Sequence, residues 1–416
     1  MIQSNAKPEG TPAPAATVRR RLVFYIPGFD PSPARRYREM YRREAAEQAR
    51  ISGHALKVTP ARDRNPNGWQ VAATVEGAEV TADIQVLVWS DIVRARMHHG
   101  VAATYGQLFR TAWIYLSTGA LWRVLRLRKG PAIAIGYPVF HLLWQLLAAI
   151  LLGLGLLWGL ASLIPGPFGL ILGAITGAGA FAALLRLFKR HDSRLRAHWL
   201  IHDYCYASQH RGAHPPELEA RMAQFGATIR QALETDVDEV LVVGHSSGAI
   251  LAISILSDLI RAGLPPGHPP LGFLSLGQMV PMLSFLPDAT RLRRDLYDLS
   301  QRTEVTWVDV TAPGDGCSFA LCDPVAVSGV APAQGKRWPL VISCAFSQTL
   351  SPEKWQAMRW RWFDLHFQYL CAFDRPGDYD YFRITAGPQT LADRFRDRAP
   401  SKSRIERPMS GYRSMA

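Results

Sequence analysis

The feature that most constrains the fold is a run of 56 residues, 130–185, without a single Asp, Glu, Lys or Arg. The run contains most of two apolar segments, 139–164 and 168–188, which are separated by the sequence Pro-Gly-Pro. A helix needs about 20 apolar residues to cross a bilayer, and proline cannot continue a helix. A helical pair buried in a soluble core would normally carry a polar stripe, which is lacking here. The pattern therefore predicts a hairpin of two transmembrane helices.

The charges around this hairpin predict its orientation. Basic residues flank it on both sides, whereas the turn is uncharged: Arg110, Arg123, Arg126, Arg128 and Lys129 precede it, and Arg186, Lys189, Arg190, Arg194 and Arg196 follow it. Excess Lys and Arg marks the cytoplasmic side. We therefore expect an integral protein of the inner or cell membrane with both flanks in the cytoplasm.

The net charge of +13 is compatible with nucleic acid or with an anionic membrane surface. Because the arginines cluster beside the hairpin, we expect membrane lipids as partners and no nucleic acid; the oligomeric state is not predicted. Segment 105–129 mixes tryptophans with arginines, which is typical of a helix at the membrane interface. A helix that packs on a soluble domain is the alternative.

Outside the insert, short β-rich runs alternate with helical patterns. This alternation predicts an α/β fold with a mostly parallel sheet and helices on both faces, interrupted by the two-helix insert. The predicted strands are 22–26, 54–58, 69–75, 86–89, 237–243, 271–276 and 305–310. The predicted organisation is a disordered segment 1–20, a first half 21–100, the membrane insert 101–200, a second half 201–392 and a basic, disordered tail 393–416.

Cysteine and histidine spacings give no sign of a metal site or cofactor. The five cysteines form no C-x-x-C pair. His198 and His202, like His210 and His214, lie four residues apart, but no H-E-x-x-H pattern accompanies them. We therefore expect no metal.

The sequence "VLVVGHSSGAI" at 240–250 matches the pattern G-x-S-x-G around Ser246. Such a serine acts as a nucleophile only if a buried strand leads into the turn and a helix leaves it. The apolar run before the turn predicts the strand. The apolar pattern that follows and ends at Gly263 predicts the helix. The context indicates a nucleophile elbow at Ser246, with His245 packed beside it.

A serine nucleophile needs a histidine base, and the base needs a carboxylate. In α/β folds that carry such a nucleophile elbow, the chain order is serine, acid, histidine. Only His268 and His366 follow Ser246, and His268 lies in a proline-rich loop ahead of any plausible acid. His366 is therefore the predicted base.

The predicted acid lies on the loop after strand 305–310. Asp315 fits best, and Asp323 remains the alternative because the proline that follows it favours a turn. Asp309 lies inside the strand and is predicted to be structural.

An oxyanion formed during acyl transfer needs two N–H donors. We predict the backbone amide of Ser247, directly after the nucleophile, and that of Phe29, in the loop after the first strand. Gly28 would allow close approach of the backbone there.

With these residues the chain resembles the α/β-hydrolase superfamily, in particular its lipases and esterases. The resemblance covers about 21–89 and 215–391, and it implies a Ser-His-Asp mechanism through an acyl-enzyme without a cofactor. Pro27 stands where many members have a histidine, a departure that concerns the oxyanion donor.

The predicted function is a membrane-anchored serine hydrolase that cleaves lipid or acyl esters, with a small-molecule or lipid ester as its substrate. An acyl-thioesterase or acyltransferase on the same fold is one alternative. A non-catalytic membrane scaffold is another. Because the hairpin splits the hydrolase sequence, both halves must lie on one side of the bilayer, in agreement with the arginine flanks.

Overall fold

The structure is a computed structural model that describes residues 17–61, 65–97, 100–192 and 196–416. Its centre is a mixed sheet of eight strands in the order β2-β3-β4-β1-β5-β6-β7-β8. β1 pairs in parallel with β4 and β5, the run from β5 to β8 is parallel, and β2, β3 and β4 are antiparallel. The strands are β1 Arg20–Ile26, β2 Ala55–Pro60, β3 Gly68–Val75, β4 Ala78–Val86, β5 Glu239–His245, β6 Leu271–Leu276, β7 Val305–Thr311 and β8 Leu340–Ser343.

Helices cover both faces of the sheet, so the chain has an α/β fold. Alternate residues of β1 point into two different cores: Phe24 and Ile26 face one, and Val23 and Tyr25 face the other. The helices are α1 Ala34–Ser52, α2 Ser90–Met97, α3 Val101–Ser117, α4 Ala120–Leu127, α5 Lys129–Leu163, α6 Pro167–Arg190, α7 Ala197–Ser208, α8 Pro216–Ala232, α9 Gly248–Arg261, α10 Val280–Ser284, α11 Thr290–Leu299, α12 Pro324–Val327, α13 Phe346–Thr349, α14 Pro352–Met358, α15 Trp362–Phe367, α16 Tyr381–Ala386 and α17 Leu391–Arg394.

The hairpin predicted from the uncharged run is formed by α5 and α6, both long and apolar enough to cross a membrane. α5 begins ten residues before the predicted start at 139. These first turns contact the sheet domain, where Gly130 approaches Gly316 and Tyr137 approaches Trp362. Most large apolar side chains of the hairpin point outward, among them Phe140, Trp144, Leu151, Trp158, Phe168 and Ile175. Arg194, one of the predicted basic flanking residues, lies outside the described residues.

Three glycines at a spacing of four residues let α6 approach α5 closely. A Cβ atom on Gly177 would lie 2.4 Å from the carbonyl oxygen of Gly153, and one on Gly173 would lie 2.7 Å from that of Leu157. Gly169 has the same kind of contact beside the turn. Small residues at this spacing are a common way to pair apolar helices in lipid.

The rest of the insert connects the hairpin to the sheet domain. Tyr105 of α3 donates to the carbonyl of Leu142 (3.1 Å), and Tyr115 at the other end of α3 donates to that of Met282 (2.9 Å). The predicted helix 105–129 is thus divided into α3 and α4. Each buries one side on the protein and exposes large apolar residues on the other, among them Trp113 and Trp122, so the position at the membrane interface stays a prediction. The insert extends through α7, beyond the predicted boundary at 200.

Two sequence predictions about strands and termini are wrong. The strand predicted at 86–89 lies earlier in the sequence: β4 spans Ala78–Val86. Glu76 and Gly77 both have positive φ and form a tight hairpin turn, so β4 begins directly after β3. The segment 1–20, predicted to be disordered, includes ordered residues: Val18 is buried and its amide donates to the carbonyl of Pro388, and β1 begins at Arg20. Residues 1–16 lie outside the described residues.

The tail 393–416, predicted to be disordered, lies along the sheet domain instead. The amide of Ile405 donates to the carbonyl of Leu321 (2.7 Å), and the carbonyl of Ile405 accepts from the amide of Asp323 (2.9 Å). The buried Arg293 guanidinium donates to the carbonyl of Ser414 (2.7 Å). The overall polar composition hid the apolar residues, such as Ile405, that hold the tail in place.

Candidate active site

Ser246 lies on a sharp turn between the buried strand β5 and helix α9. Its φ of 59° is in the left-handed region, which is uncommon for a residue with a side chain. A Cβ atom on Gly248 would lie 2.1 Å from the carbonyl oxygen of Ile26, and one on Gly244 would lie 2.7 Å from the Cα of Ala249. Both glycines of G-x-S-x-G are therefore required by backbone contacts that hold Ser246 in this conformation.

The loop after β1 lies directly against this turn. A Cβ atom on Gly28 would lie 2.9 Å from Cβ of Ser246 and 3.3 Å from its Oγ. The amide of Phe29 donates to Oγ of Ser247 (2.9 Å). The structure therefore brings Phe29 and Ser247 together beside Ser246, with the Phe29 hydrogen engaged by the Ser247 hydroxyl.

The Ser246 hydroxyl is mostly buried and donates to the sulfur of Met279 (3.3 Å). Nε2 of His366 is also buried, and it has no hydrogen-bond partner among the described residues. A hydrogen bond between Ser246 and His366 is therefore not formed. Such contacts are often long in structures without substrate and tighten when substrate binds.

His366 and Asp315 are in direct contact. His366 lies on α15 and Asp315 on the loop after β7, and Nδ1 of the histidine is 2.8 Å from Oδ2 of the carboxylate. The amide of Cys317 (2.9 Å) and the hydroxyl of Tyr369 (3.0 Å) also donate to Asp315. Burial alone would raise the pKa of Asp315, but the charge and hydrogen bond of His366 outweigh it, so the pKa is lowered.

The ionised Asp315 fixes the tautomer of His366. A carboxylate only accepts hydrogen bonds, so Nδ1 carries the hydrogen and Nε2 keeps a free lone pair. A neutral histidine in this state can accept a proton at Nε2. The pair has the arrangement expected of a general base and its orienting acid.

His245, next to the serine, is hydrogen-bonded to the backbone of His366. Its Nε2 donates to the carbonyl oxygen of His366 (2.8 Å), and its Nδ1 lies 3.4 Å from the Tyr25 hydroxyl. Burial, followed by the nearby charge of His366, lowers the pKa of His245 to about 3. His245 is therefore neutral, and its expected packing role is extended by a hydrogen bond to the backbone of His366. No sequence pattern indicates Tyr369 or Met279.

The alternative acid Asp323 is occupied elsewhere. Its Oδ1 accepts from the amides of Val325 and Ala326 at 3.0 Å each, which caps α12, and its other oxygen pairs with Lys336. Asp309 is buried in β7, where it accepts from Ser275 (2.5 Å), and burial raises its pKa to about 8. Of the three aspartates considered, only Asp315 contacts His366.

Within the described residues, no three His, Cys, Asp or Glu side chains are grouped as metal ligands. Three of the histidines at four-residue spacing contact other side chains: His198 contacts Gln145 (3.3 Å), His202 contacts Gln107 (2.6 Å) and His214 contacts Ser254 (3.4 Å). Comparisons with protein families, with curated proteins and with solved structures found no match.

Proposed function

We propose that the protein is a membrane-anchored serine hydrolase of the α/β-hydrolase type that cleaves carboxylic esters of lipid or acyl character. The contact between His366 and Asp315 at the sheet edge that also carries Ser246 is the observation that carries this proposal. The left-handed serine between β5 and α9 adds the local geometry of a nucleophile elbow.

In the proposed reaction, Nε2 of His366 takes the proton of Ser246 while Oγ attacks the ester carbonyl. The negative charge on the carbonyl oxygen would be bound by the amides of Ser247 and Phe29. Collapse of the intermediate breaks the ester bond, and His366 returns the proton to the leaving alcohol. Water, activated by the same histidine, then releases the acid and restores Ser246. For Phe29 to act, its amide must turn from the Ser247 hydroxyl to the substrate.

We further propose that α5 and α6 span the membrane and that the sheet domain lies in the cytoplasm. The outward-facing apolar side chains and the basic flanks support this orientation. In intact cells, a membrane-impermeant maleimide should label Pro165→Cys at the exposed turn. It should label Lys402→Cys, on the exposed sheet domain, only after lysis. The reverse pattern would contradict the orientation.

The central experiment is labelling of membranes with a fluorophosphonate probe, which reacts with activated serines. Wild-type protein should be labelled, and Ser246→Ala should not. Ser257→Ala, a buried serine on the same helix that follows the elbow, is the matched control and should keep the label. A folded wild type that remains unlabelled would favour a non-catalytic scaffold, and label that persists in Ser246→Ala would place the nucleophile elsewhere.

A further inference from the structure

A small cavity lies beside the elbow, between the sheet domain and the membrane insert. Its volume is about 40 Å³. Ser247 and Leu251 of the sheet domain line it, together with Trp89 and His214. Asp203 and Tyr206, both on α7 of the insert, line it as well. The insert therefore contributes a wall to a space directly next to the proposed nucleophile.

Two polar groups in this wall have no hydrogen-bond partner among the described residues. One is the Asp203 carboxylate, which is 9% exposed and interacts only electrostatically with His366 and Tyr115. The buried Tyr206 hydroxyl also has no hydrogen-bond partner there. They lie three residues apart on α7 and therefore share a face of that helix. A buried polar group without a partner costs stability, so two together indicate a place for a hydrogen-bonding ligand.

The surroundings restrict what this ligand can be. Burial raises the pKa of Asp203 to about 7, although the charge of His366 opposes the rise. An anionic group would be repelled by the ionised carboxylate, and the walls are otherwise largely apolar. The volume suits a group the size of one or two water molecules and excludes an acyl chain. A neutral hydroxyl can donate to Asp203 and accept from Tyr206 at the same time.

Resting on the proposed ester hydrolysis, we propose that this cavity binds a free hydroxyl of the substrate, with Asp203 and Tyr206 as the specificity-determining partners. Ser247 lines the cavity and directly follows Ser246, so this hydroxyl would lie within a few bonds of the scissile carbonyl. The substrate class is then a hydroxylated ester, such as a partial ester of a polyol, and not a fully esterified or purely aliphatic ester.

The test compares two esters that differ only in hydroxyl groups, glycerol monobutyrate and propyl butyrate, on the full-length protein in detergent. We expect wild type to show a kcat/KM at least about tenfold higher for the glycerol ester, because a site built around a hydroxyl rejects an analogue that lacks it. Asp203→Leu should bring the ratio close to one, and Tyr206→Phe should lower it several-fold. Tyr105→Phe, which removes an insert hydroxyl far from the cavity, should leave the ratio unchanged.

Fluorophosphonate labelling of each variant separates the two proposals. If Ser246 is labelled and the ester ratio is near one in wild type, or is unchanged in both cavity variants, the cavity holds only water and the inference is wrong. If wild type is neither labelled nor active on either ester, the proposed hydrolase function itself fails. Should Asp203→Leu not fold, Tyr206→Phe decides the question, because it removes only an unpartnered oxygen.

Discussion

Nδ1 of His366 lies 2.8 Å from Oδ2 of Asp315, although 51 residues separate them in sequence. Both residues belong to segments that rest against the base of the apolar hairpin. A Cβ atom on Gly130, in the first turn of α5, would lie 3.3 Å from the Cα of Gly316. The ring centroids of Trp362 and Tyr137 are 6.4 Å apart. The pair of His366 and Asp315 therefore lies where the sheet domain meets the insert.

Substitution of the acid tests this pair. Asp315→Asn keeps the shape of the side chain but no longer holds the required tautomer of His366, so we expect kcat to fall by about 10⁴. Asp323→Asn is the matched control: it weakens the cap of α12 and the pair with Lys336. We expect the control to lose about 1 kcal/mol of unfolding free energy while kcat is kept. If only Asp323→Asn loses activity, Asp323 and not Asp315 is the acid.

The hydrogen bond from His245 to the backbone of His366 predicts a positioning role. His245→Leu removes this donor, and we expect kcat to fall about tenfold because the base is less well placed. His245→Gln keeps a donor at a similar position and should restore most of the activity. Since the pKa of His245 is about 3, neither variant should change the shape of the pH–rate profile between pH 5 and 8. A shifted profile would mean that His245 itself transfers protons.

The raised pKa of the buried Asp309 leads us to expect that stability depends on pH. Its pKa of about 8 when folded exceeds the value near 4 in an unfolded chain. The folded protein therefore keeps a proton that the unfolded chain releases, and the contribution of Asp309 to stability falls as pH rises from about 4 to about 8, by up to ~1.4 kcal/mol per pH unit. Asp309→Asn should remove this dependence and be more stable than wild type at pH 8.

Denaturation in detergent at pH 5 and pH 8 measures this effect. Asp236→Asn changes a fully exposed aspartate and serves as the control, with the same pH dependence as wild type. Equal slopes for all three proteins would show that Asp309 is ionised in the folded state.

The close contact of α5 and α6 predicts which glycines of the hairpin tolerate a larger side chain. Gly177→Leu would push α6 away from Gly153, and overpacking of this kind costs about 1–3 kcal/mol. Gly179→Leu, two residues further on, meets no atom within 4 Å and should be tolerated. Thermal unfolding in detergent compares the two. A similar melting temperature for both variants would mean that the helices do not depend on this contact.

The sequence predicts features that depend on near neighbours and misses those that depend on distant ones. The elbow at Ser246 is readable because its glycines are required within a few residues, and the hairpin because its composition is extreme. Tyr369 and Met279 contact the site only after the sheet has formed, so no local pattern indicates them. The unpartnered Asp203 is missed for the same reason, since its position beside Ser247 results from how the insert packs on the sheet.

The insertion of the hairpin between β4 and β5 has a consequence for biosynthesis. β1 pairs with β5 in register from Arg21 with Glu239, and these two residues are 218 positions apart in the sequence. The ribosome therefore makes both apolar helices while one edge of β1 has no partner strand, and such an edge invites pairing with other chains. With the proposed membrane anchoring, α5 and α6 are made before β5 and would need to reach the bilayer while the sheet is incomplete, so a delay in targeting would leave a half-built domain exposed to aggregation.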